Sequence, residues 1–338
     1  MYEIRFCKIS EEEKLLNFLK ENWKEDHIFI KNKELFRWQH LDRINNRINF
    51  VVAENKNDGE FDAILGFIPF KQYDKNLKNN DLWYAIWKIK KEKTLGKIRG
   101  IDLLFFVEDK LNLNSSAGIG MSKYSVKSFT QNGFTMGKLS HYYLLNESLC
   151  EYKIAKIPLN SSLSHTPYRN TNTTIRELYN ISELESIKEL YKPYKSPAFI
   201  KNKYLNHPVY SYKLYGIYCF NKLLSVLVTR KISILDRSCI RIIDIYGRLN
   251  KVGNISAQLQ EILKKENAEY IDCYNYGIDE QIFTTLGFLK KEHDNNIIIP
   301  NYFEPFEQKN IEIICGHKGN YDEYVFFKGD SDQDRPNI

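Results

Sequence analysis

Two histidines stand where their neighbours suit proton transfer. His40 lies between Trp38 and Asp42, and His27 follows Asp26. An imidazole titrates near neutral pH, so a histidine beside a carboxylate suits general-base work. A helix-end histidine with a structural role fits His40 equally well, and His27 is the alternative base. The chain's four tryptophans, Trp23, Trp38, Trp83 and Trp87, all fall in the first half. Indole faces take the apolar C–H faces of sugar rings. Trp38, Trp83 and Trp87, with Asp42, are therefore candidates for holding a carbohydrate; the other reading of the indoles is a buried core.

Composition removes several classes of chemistry. The six cysteines (Cys7, Cys150, Cys219, Cys239, Cys273 and Cys315) are scattered, with no C-x-x-C pair and no histidine at metal spacing. Most read as buried thiols, and the set is neither a zinc site nor a disulfide framework. Asp330-x-Asp332-x-Asp334 imitates the start of a calcium loop, but Arg335 stands where the turn needs glycine. No metal is expected. A net charge of +6 over 338 residues falls short of the dense basic stripe of a nucleic-acid domain. Met1 to Phe6 carries no apolar leader, and no apolar run reaches the ~20 residues of a membrane span. The expectation is a cytoplasmic protein with no membrane span and no nucleic-acid partner.

The elements that must position these residues come in two matching sets. Phe29-Ile30-Lys31-Asn32-Lys33 returns as Phe199-Ile200-Lys201-Asn202-Lys203, and Phe129-x-x-x-Gly133-Phe134 returns as Phe283-x-x-x-Gly287-Phe288. A repeat of such long period predicts two related domains. Within the first half, apolar alternation predicts strands over 2–7, 49–54, 63–68, 81–89, 117–121 and 134–146. Helical periodicity predicts helices from Ser10, over 34–41, over 101–111 and over 123–131. The order is β-α-α-β-β-β-α-β-α-β, an α/β fold with mixed sheets. Residues 183–191 and 199–206 predict the paired helices of the second half. Strands follow at 212–220, 223–233 and 240–246, then a helix at 256–266, a strand at 270–274 and a helix ending at Gly287. The predicted boundaries are a first domain at 1–150, a linker at 151–174, a second domain at 175–300 and a separate tail at 301–338.

This order resembles the GNAT (GCN5-related N-acetyltransferase) superfamily of acyl-CoA-dependent N-acyltransferases. The marks are the strand Tyr84 to Ile89, the loop Lys93-Thr94-Leu95-Gly96-Lys97-Ile98-Arg99-Gly100-Ile101, the helix from Asp102 to Leu111, and the ending Phe129-Thr130-Gln131-Asn132-Gly133-Phe134. The resemblance implies tandem GNAT-like domains with mixed, mostly antiparallel sheets flanked by helices. It implies acetyl-CoA, or another acyl-CoA, as co-substrate, with the pyrophosphate on Gly96, Lys97, Ile98, Arg99, Gly100 and Ile101. The physics is that of a helix start, where unpaired N–H groups and about half a positive charge meet an anion. The loop departs from the family's Arg/Gln-x-x-Gly-x-Gly/Ala pattern in either register, and one register puts Asp102 at its last position. The corresponding stretch of the second half, Gly247 to Ile255, fits worse and reads as a degenerate copy. Many family members place a tyrosine acid four residues before the glycine of the Gly-Phe ending. Those positions here are Phe129 and Phe283, which leaves Tyr124 as the nearest substitute in the first half.

The resemblance implies an acceptor bound between the first two helices and the third strand, where His27, His40 and Asp42 fall. The chain's ending, Gly329 to Asn337, resembles endings of bacterial polysaccharide-biosynthesis proteins that carry GNAT-like domains. The expected activity is acyl transfer to an amine of a sugar or nucleotide-linked amino sugar, a small-molecule acceptor. A Fem-like aminoacyl transferase and a non-catalytic GNAT-like binding module are the alternatives.

Overall fold

The computed structural model describes residues 1–90, 98–158, 172–292 and 296–335. In chain order the first elements are β1 (Tyr2–Lys8), α1 (Glu12–Asn22), α2 (Ile28–Lys31), α3 (Lys33–His40), β2 (Leu41–Asp42), β3 (Arg47–Asn55), β4 (Phe61–Pro69) and β5 (Asp81–Ile89). There follow α4 (Gly100–Leu111), β6 (Ser115–Ile119), α5 (Val126–Gln131), β7 (Thr135–Lys138), β8 (Ser140–Leu145), β9 (Thr173–Glu177), α6 (Pro197–Ile200), β10 (Lys213–Cys219) and β11 (Lys222–Ile234). The chain continues with β12 (Arg237–Gly247), α7 (Ser256–Glu266), β13 (Ala268–Tyr276), α8 (Glu280–Leu286), β14 (Leu289–Lys290), β15 (Tyr302–Phe303), β16 (Phe306–Glu307), β17 (Ile314–Gly319) and β18 (Phe326–Phe327).

Two compact units result. The first holds residues 1–136, 314–320 and 331–338, and the second holds 137–313 and 321–330. The first sheet runs β1-β3-β4-β5-β6-β17-β7 and the second β14-β8-β13-β12-β11-β10-β9. Read from opposite ends, the two orders match element for element. The difference is the source of one strand. The first sheet takes its sixth strand from residues 314–319, antiparallel to β6. The second takes the equivalent strand from residues 140–145, antiparallel to β13. The predicted strand 134–146 is therefore two strands in two sheets. The predicted boundary at 150 shifts to 136, and the predicted separate tail at 301–338 instead contributes strands to both sheets. Apolar alternation marks a strand but not its partner, so sequence could not show the exchange.

Local chemistry explains most element ends. Asn32 caps α3 by accepting from the N–H of Leu35, and Ser196 caps α6 by accepting from Phe199. Gly287 closes α8 at a φ of 100°, a left-handed conformation that glycine adopts without a Cβ penalty. The predicted helix start at Ser10 differs, because the chain first makes a 3-10 turn at Ile9–Glu11 capped at Lys8. The predicted helix at 183–191 shortens to a 3-10 turn, Ile181–Ser186. Thr173–Glu177, assigned in part to the linker, is a strand paired with β10. Phe29 and Phe199 both open the repeated helical segment and both are fully buried.

In the first unit the sheet is covered on two faces. The helices α1 to α3 bury Leu15, Leu19, Phe29 and Phe36 against Phe50, Val52 and Ile64. On the other face α4 and α5 bury Leu103, Val107 and Phe129 against Val51, Leu65 and Tyr84.

The central parallel pair of each sheet parts partway. β5 and β6 pair from Asp81 with Ser115 to Tyr84 with Gly118, while β5 continues to Ile89. β12 and β13 pair as far as Ile242 with Cys273, while β12 continues to Gly247. Each parting coincides with a bulge. Leu65 faces Trp87 but Phe67 faces Tyr84, and Val228 faces Asp244 but Thr229 faces Ile242. One extra residue therefore sits on β5 and one on β12.

In the second unit residues 325–330 fill the gap. Phe326 and Phe327 pair with Tyr276 and Asn275 of β13, and the Gly329 N–H donates to the Ile243 carbonyl at 2.8 Å. A Cβ at Gly329 would lie 2.2 Å from Ile243 Cγ2, so only glycine fits there. Lys195 Nζ locks the segment, 2.7 Å from Asp244 and 2.9 Å from Asp330. Tyr204 donates to the same Asp244 carboxylate at 2.6 Å. Lys195→Met leaves two buried carboxylates without this cation, and breaking such a pair costs about 3–5 kcal/mol. Urea unfolding of the second unit should show that loss; a loss under about 1 kcal/mol, the scale of an exposed ion pair, would contradict the buried lock.

Candidate active site in the first unit

The gap between β5 and β6 in the first unit lies beside the start of α4. Gly100 is the first residue of that helix. It presses on the β5 strand end: a Cβ there would lie 2.9 Å from Trp87 and 3.0 Å from Ile89. Trp87 meets Phe129 of α5 edge to face at 5.5 Å. Strand end, helix start and α5 thus converge on one apolar wall. At the helix start the Asp102 carboxylate accepts from the Arg99 N–H at 3.1 Å and pairs with the Arg99 guanidinium at 2.6 Å. That bond holds the Asp102 carboxyl below its ordinary value and neutralises the charge that would repel an anion.

Of the expected anion-binding residues, Ile98 is buried, Arg99 is exposed and tied to Asp102, and Ile101 packs against the α4 core. Gly96 and Lys97 lie outside the described residues. The sequence pattern located the helix start and the glycine, and the pairing of Arg99 with Asp102 could not be read from it.

The two histidines sit elsewhere than a base requires. His40 is wholly buried among Phe29, Phe36 and Phe50, with ring centres 5.5, 5.7 and 4.7 Å away. Its Nδ1 lies 3.2 Å from the Phe67 carbonyl and its Nε2 lies 3.0 Å from the Gln39 amide. A neutral ring donating from Nδ1 and accepting at Nε2 satisfies both contacts. Burial lowers its pKa to about 3. His27 caps α2, its Nδ1 accepting from the Phe29 N–H at 3.2 Å. Its Nε2 lies 3.0 Å from the Arg335 guanidinium, so a protonated ring would face two donors. Burial, then the Arg335 charge, lower its pKa to about 4. Both side chains hold the helix layer together, and neither offers an exposed basic nitrogen to an incoming amine.

Tyr124 is 98% exposed, so no protein surface holds its hydroxyl near a leaving group. Trp83 is a core residue stacked on Phe70 at 5.6 Å. Trp38 is half-buried against Tyr73 at 5.1 Å. Asp42 accepts from the Asn45 backbone and side chain at 3.1 and 2.7 Å. Trp38 and Asp42 share the wall of one cavity, away from Trp87 and α4's first turn.

A group absent from the sequence expectation borders the gap. Ser331 Oγ donates to the Tyr84 carbonyl at 2.9 Å, at the last residue of β5 paired with β6. Gln333 covers Gly120 at the end of β6, where a Cβ would lie 2.7 Å from its amide. Asp332 is buried and accepts from Arg335 at 2.9 Å, and Arg335 reaches His27. Three alternating aspartates near the chain's end were the only signal, and calcium-loop spacing was the wrong test for them. Among the described residues no cluster of histidine, cysteine, aspartate or glutamate is arranged to hold a metal, and no helix is long and apolar enough to cross a membrane.

No protein-family profile matches the sequence, and no curated protein is similar to it. Solved structures are similar. A GCN5-related N-acetyltransferase from Anabaena variabilis ATCC 29413 superposes with a TM-score of 0.55 at 11% identity, covering 94% of this chain and 73% of that one. A protein from Enterococcus faecalis V583, described as of unknown function and "Probable N-Acyltransferase", gives 0.56 at 10% identity, covering 93% and 72%. The fold is a tandem GNAT-like fold. Two mixed sheets flanked by helices match that architecture, as the sequence order implied.

The histidine environments set a pH dependence. A group whose folded pKa is depressed contributes stability that is present above its unfolded value, near 6.5, and is lost as pH falls toward its folded value. For His27 and His40 the window runs from about 6.5 down to about 4 and about 3. Unfolding of the first unit should take up about two protons there, about 1.4 kcal/mol per pH unit for each histidine. His40→Asn should reduce the measured uptake by about one proton. An unchanged uptake would mean that His40 titrates normally in the folded state.

Proposed function

We propose that the protein is an N-acyltransferase that moves an acyl group, acetyl in the simplest case, from acyl-CoA to an amine, and that the first unit does the work. The observation that carries this reading is the asymmetry of the two strand partings. In the second unit residues 325–330 hydrogen-bond across the gap. In the first, the contact to the parting is a side-chain bond from Ser331 to the Tyr84 carbonyl, and the gap adjoins a bulge, a helix start and the Trp87–Phe129 wall.

In this reading the CoA pyrophosphate meets the first turn of α4 around Ile98 to Ile101, where N–H groups and the helix dipole favour an anion. Gly96 and Lys97 precede that turn and extend the same loop. The thioester lies along Trp87 and Phe129, with its carbonyl toward the bulge of β5. Backbone donors at such a point stabilise the oxyanion as the amine attacks. The amine nitrogen bonds to the acyl carbon, the C–S bond breaks, and CoA leaves as the thiolate. Phe129 supplies no proton, so the thiolate takes one from solvent. The incoming ammonium loses one proton to water before attack, and the nitrogen sheds a second to water as the amide forms. Positioning supplies most of the rate when no dedicated base is present.

The acceptor we infer is the amine of a sugar or of a nucleotide-linked amino sugar, as used in bacterial surface-glycan synthesis. Its support is the half-buried indole of Trp87 beside the proposed acyl site, together with the resemblance of the chain's ending.

Calorimetry with acetyl-CoA tests the cofactor site. Gly100→Glu puts a carboxylate at the first turn and displaces Trp87, and should weaken acetyl-CoA at least tenfold, about 1.4 kcal/mol. Circular dichroism of the variant checks that it is folded. Unchanged affinity in a folded Gly100→Glu protein removes the site. Transfer assays with amino sugars, UDP-amino sugars and aminoacyl-tRNA then separate the acceptor classes; turnover only with aminoacyl-tRNA would replace the sugar reading with a Fem-like one.

A further inference from the structure

One cavity of the first unit lies away from the strand parting. It has a volume of about 950 Å³ and is walled by α3, the β2–β3 turn, the stretch from Pro69 to Leu82, and the last turn of α4. It meets β5 at Asp81 and Leu82, whereas the proposed acyl site lies at Trp87 and Ile89. It meets α4 at Lys110 and Leu111, whereas the proposed pyrophosphate site is at Gly100. A helix of 12 residues separates its two ends by roughly 18 Å. The helix end here carries the negative partial charge, so the backbone of α4 offers an anion nothing. Whatever binds must be recognised by side chains.

Those side chains are cationic. Arg37, Arg43, Arg47, Lys71, Lys75 and Lys110 line the cavity, against Glu34, Asp42 and Asp81, an excess of three positive charges. Some are engaged: Arg37 holds Glu12 at 2.7 Å, Lys110 pairs with Asp109 at 2.9 Å, and Lys71 donates to Asn80 at 2.7 Å. Arg43 and Lys75 have no ion-pair or hydrogen-bond partner among the described residues.

Arg47 is the informative one. Its side chain is 13% exposed, and its nearest carboxylate, Asp42, is 3.5 Å away. Its guanidinium lies over the Phe6 ring at 4.4 Å, and it donates to Asn49 at 3.2 Å. Burial, only partly offset by Asp42, lowers its pKa. A desolvated cation so thinly neutralised gains most from an anion placed beside it. A guanidinium also matches the planar oxygens of phosphate. The lining also includes the apolar Trp38, Leu41, Pro69, Leu82 and Leu113. A lining that combines an excess of cations with apolar side chains, an indole among them, suits one ligand with an anionic part and a ring. The volume is that of a small-molecule site.

We propose that this cavity is a second ligand site of the first unit. It takes a phosphorylated small molecule of nucleotide size, with phosphate toward Arg43, Arg47 and Lys75 and a ring against Trp38. It is separate from the acyl-CoA site and does not depend on the proposed acyltransferase reaction.

Calorimetry on the full chain with UDP, ADP, uridine and inorganic phosphate as probes tests it, alongside acetyl-CoA. UDP or ADP should bind at least tenfold more tightly than either inorganic phosphate or uridine. Arg43→Glu combined with Lys75→Glu changes two exposed side chains outside the acyl site. It should weaken nucleotide binding at least tenfold and leave acetyl-CoA within twofold. Arg47→Lys, which keeps the charge but not the planar fork, should weaken it as well. No nucleotide binding at millimolar concentration would overturn the proposal. So would equal binding of nucleotide and inorganic phosphate, or nucleotide affinity untouched by Arg43→Glu with Lys75→Glu. A parallel loss of acetyl-CoA in the double variant would mean that the cavity is the CoA site, and would overturn the claim of two sites.

Discussion

A parallel pair of strands that parts partway leaves backbone groups that something must satisfy. Buried N–H and C=O groups without partners cost about as much as lost hydrogen bonds. Both sheets of this protein carry such a parting, at Tyr84 of β5 and at Ile242 of β12, each beside a one-residue bulge. The rest of the architecture follows from how each parting is met.

In the second unit the answer is internal. Residues 325–330 supply two ladder pairs to β13 and a hydrogen bond to the bulged residue of β12. The buried Lys195, Asp244, Tyr204 and Asp330 then fix the segment in place. In the first unit Ser331 meets Tyr84, while the end of β5 turns Trp87 toward Gly100 and Phe129. Glycine at position 100 is needed because the helix start lies flush on an indole. The two units thus meet the same parting differently, one with a backbone segment across it and one with a side-chain bond beside an apolar wall.

The sequence made much of the fold legible. Repeated Phe-Ile-Lys-Asn-Lys and Gly-Phe marks predicted two copies, and both copies of each mark lie on matching elements. Strand and helix positions followed from periodicity because each sheet face and helix stripe packs on a core. The exchange of β8 and β17 was invisible, since alternation carries no record of the partner strand. The candidate site was only partly legible. Gly100 and Trp87 come together, but His40 does not join them. A histidine beside tryptophan and aspartate in sequence reads the same whether its ring faces solvent or Phe29, Phe36 and Phe50. Asp332 and Arg335, about 300 residues from His27, could be placed beside it only by the fold.

Hydrogen exchange read by mass spectrometry, with and without saturating acetyl-CoA, tests the division of labour most directly. Binding at the first parting should slow exchange across residues 84–89 at the end of β5 and 98–103 at the start of α4, and leave residues 243–247 of β12 unchanged. Protection confined to 243–247, or no protection in either unit at saturating acetyl-CoA, would contradict the assignment of the working site to the first unit.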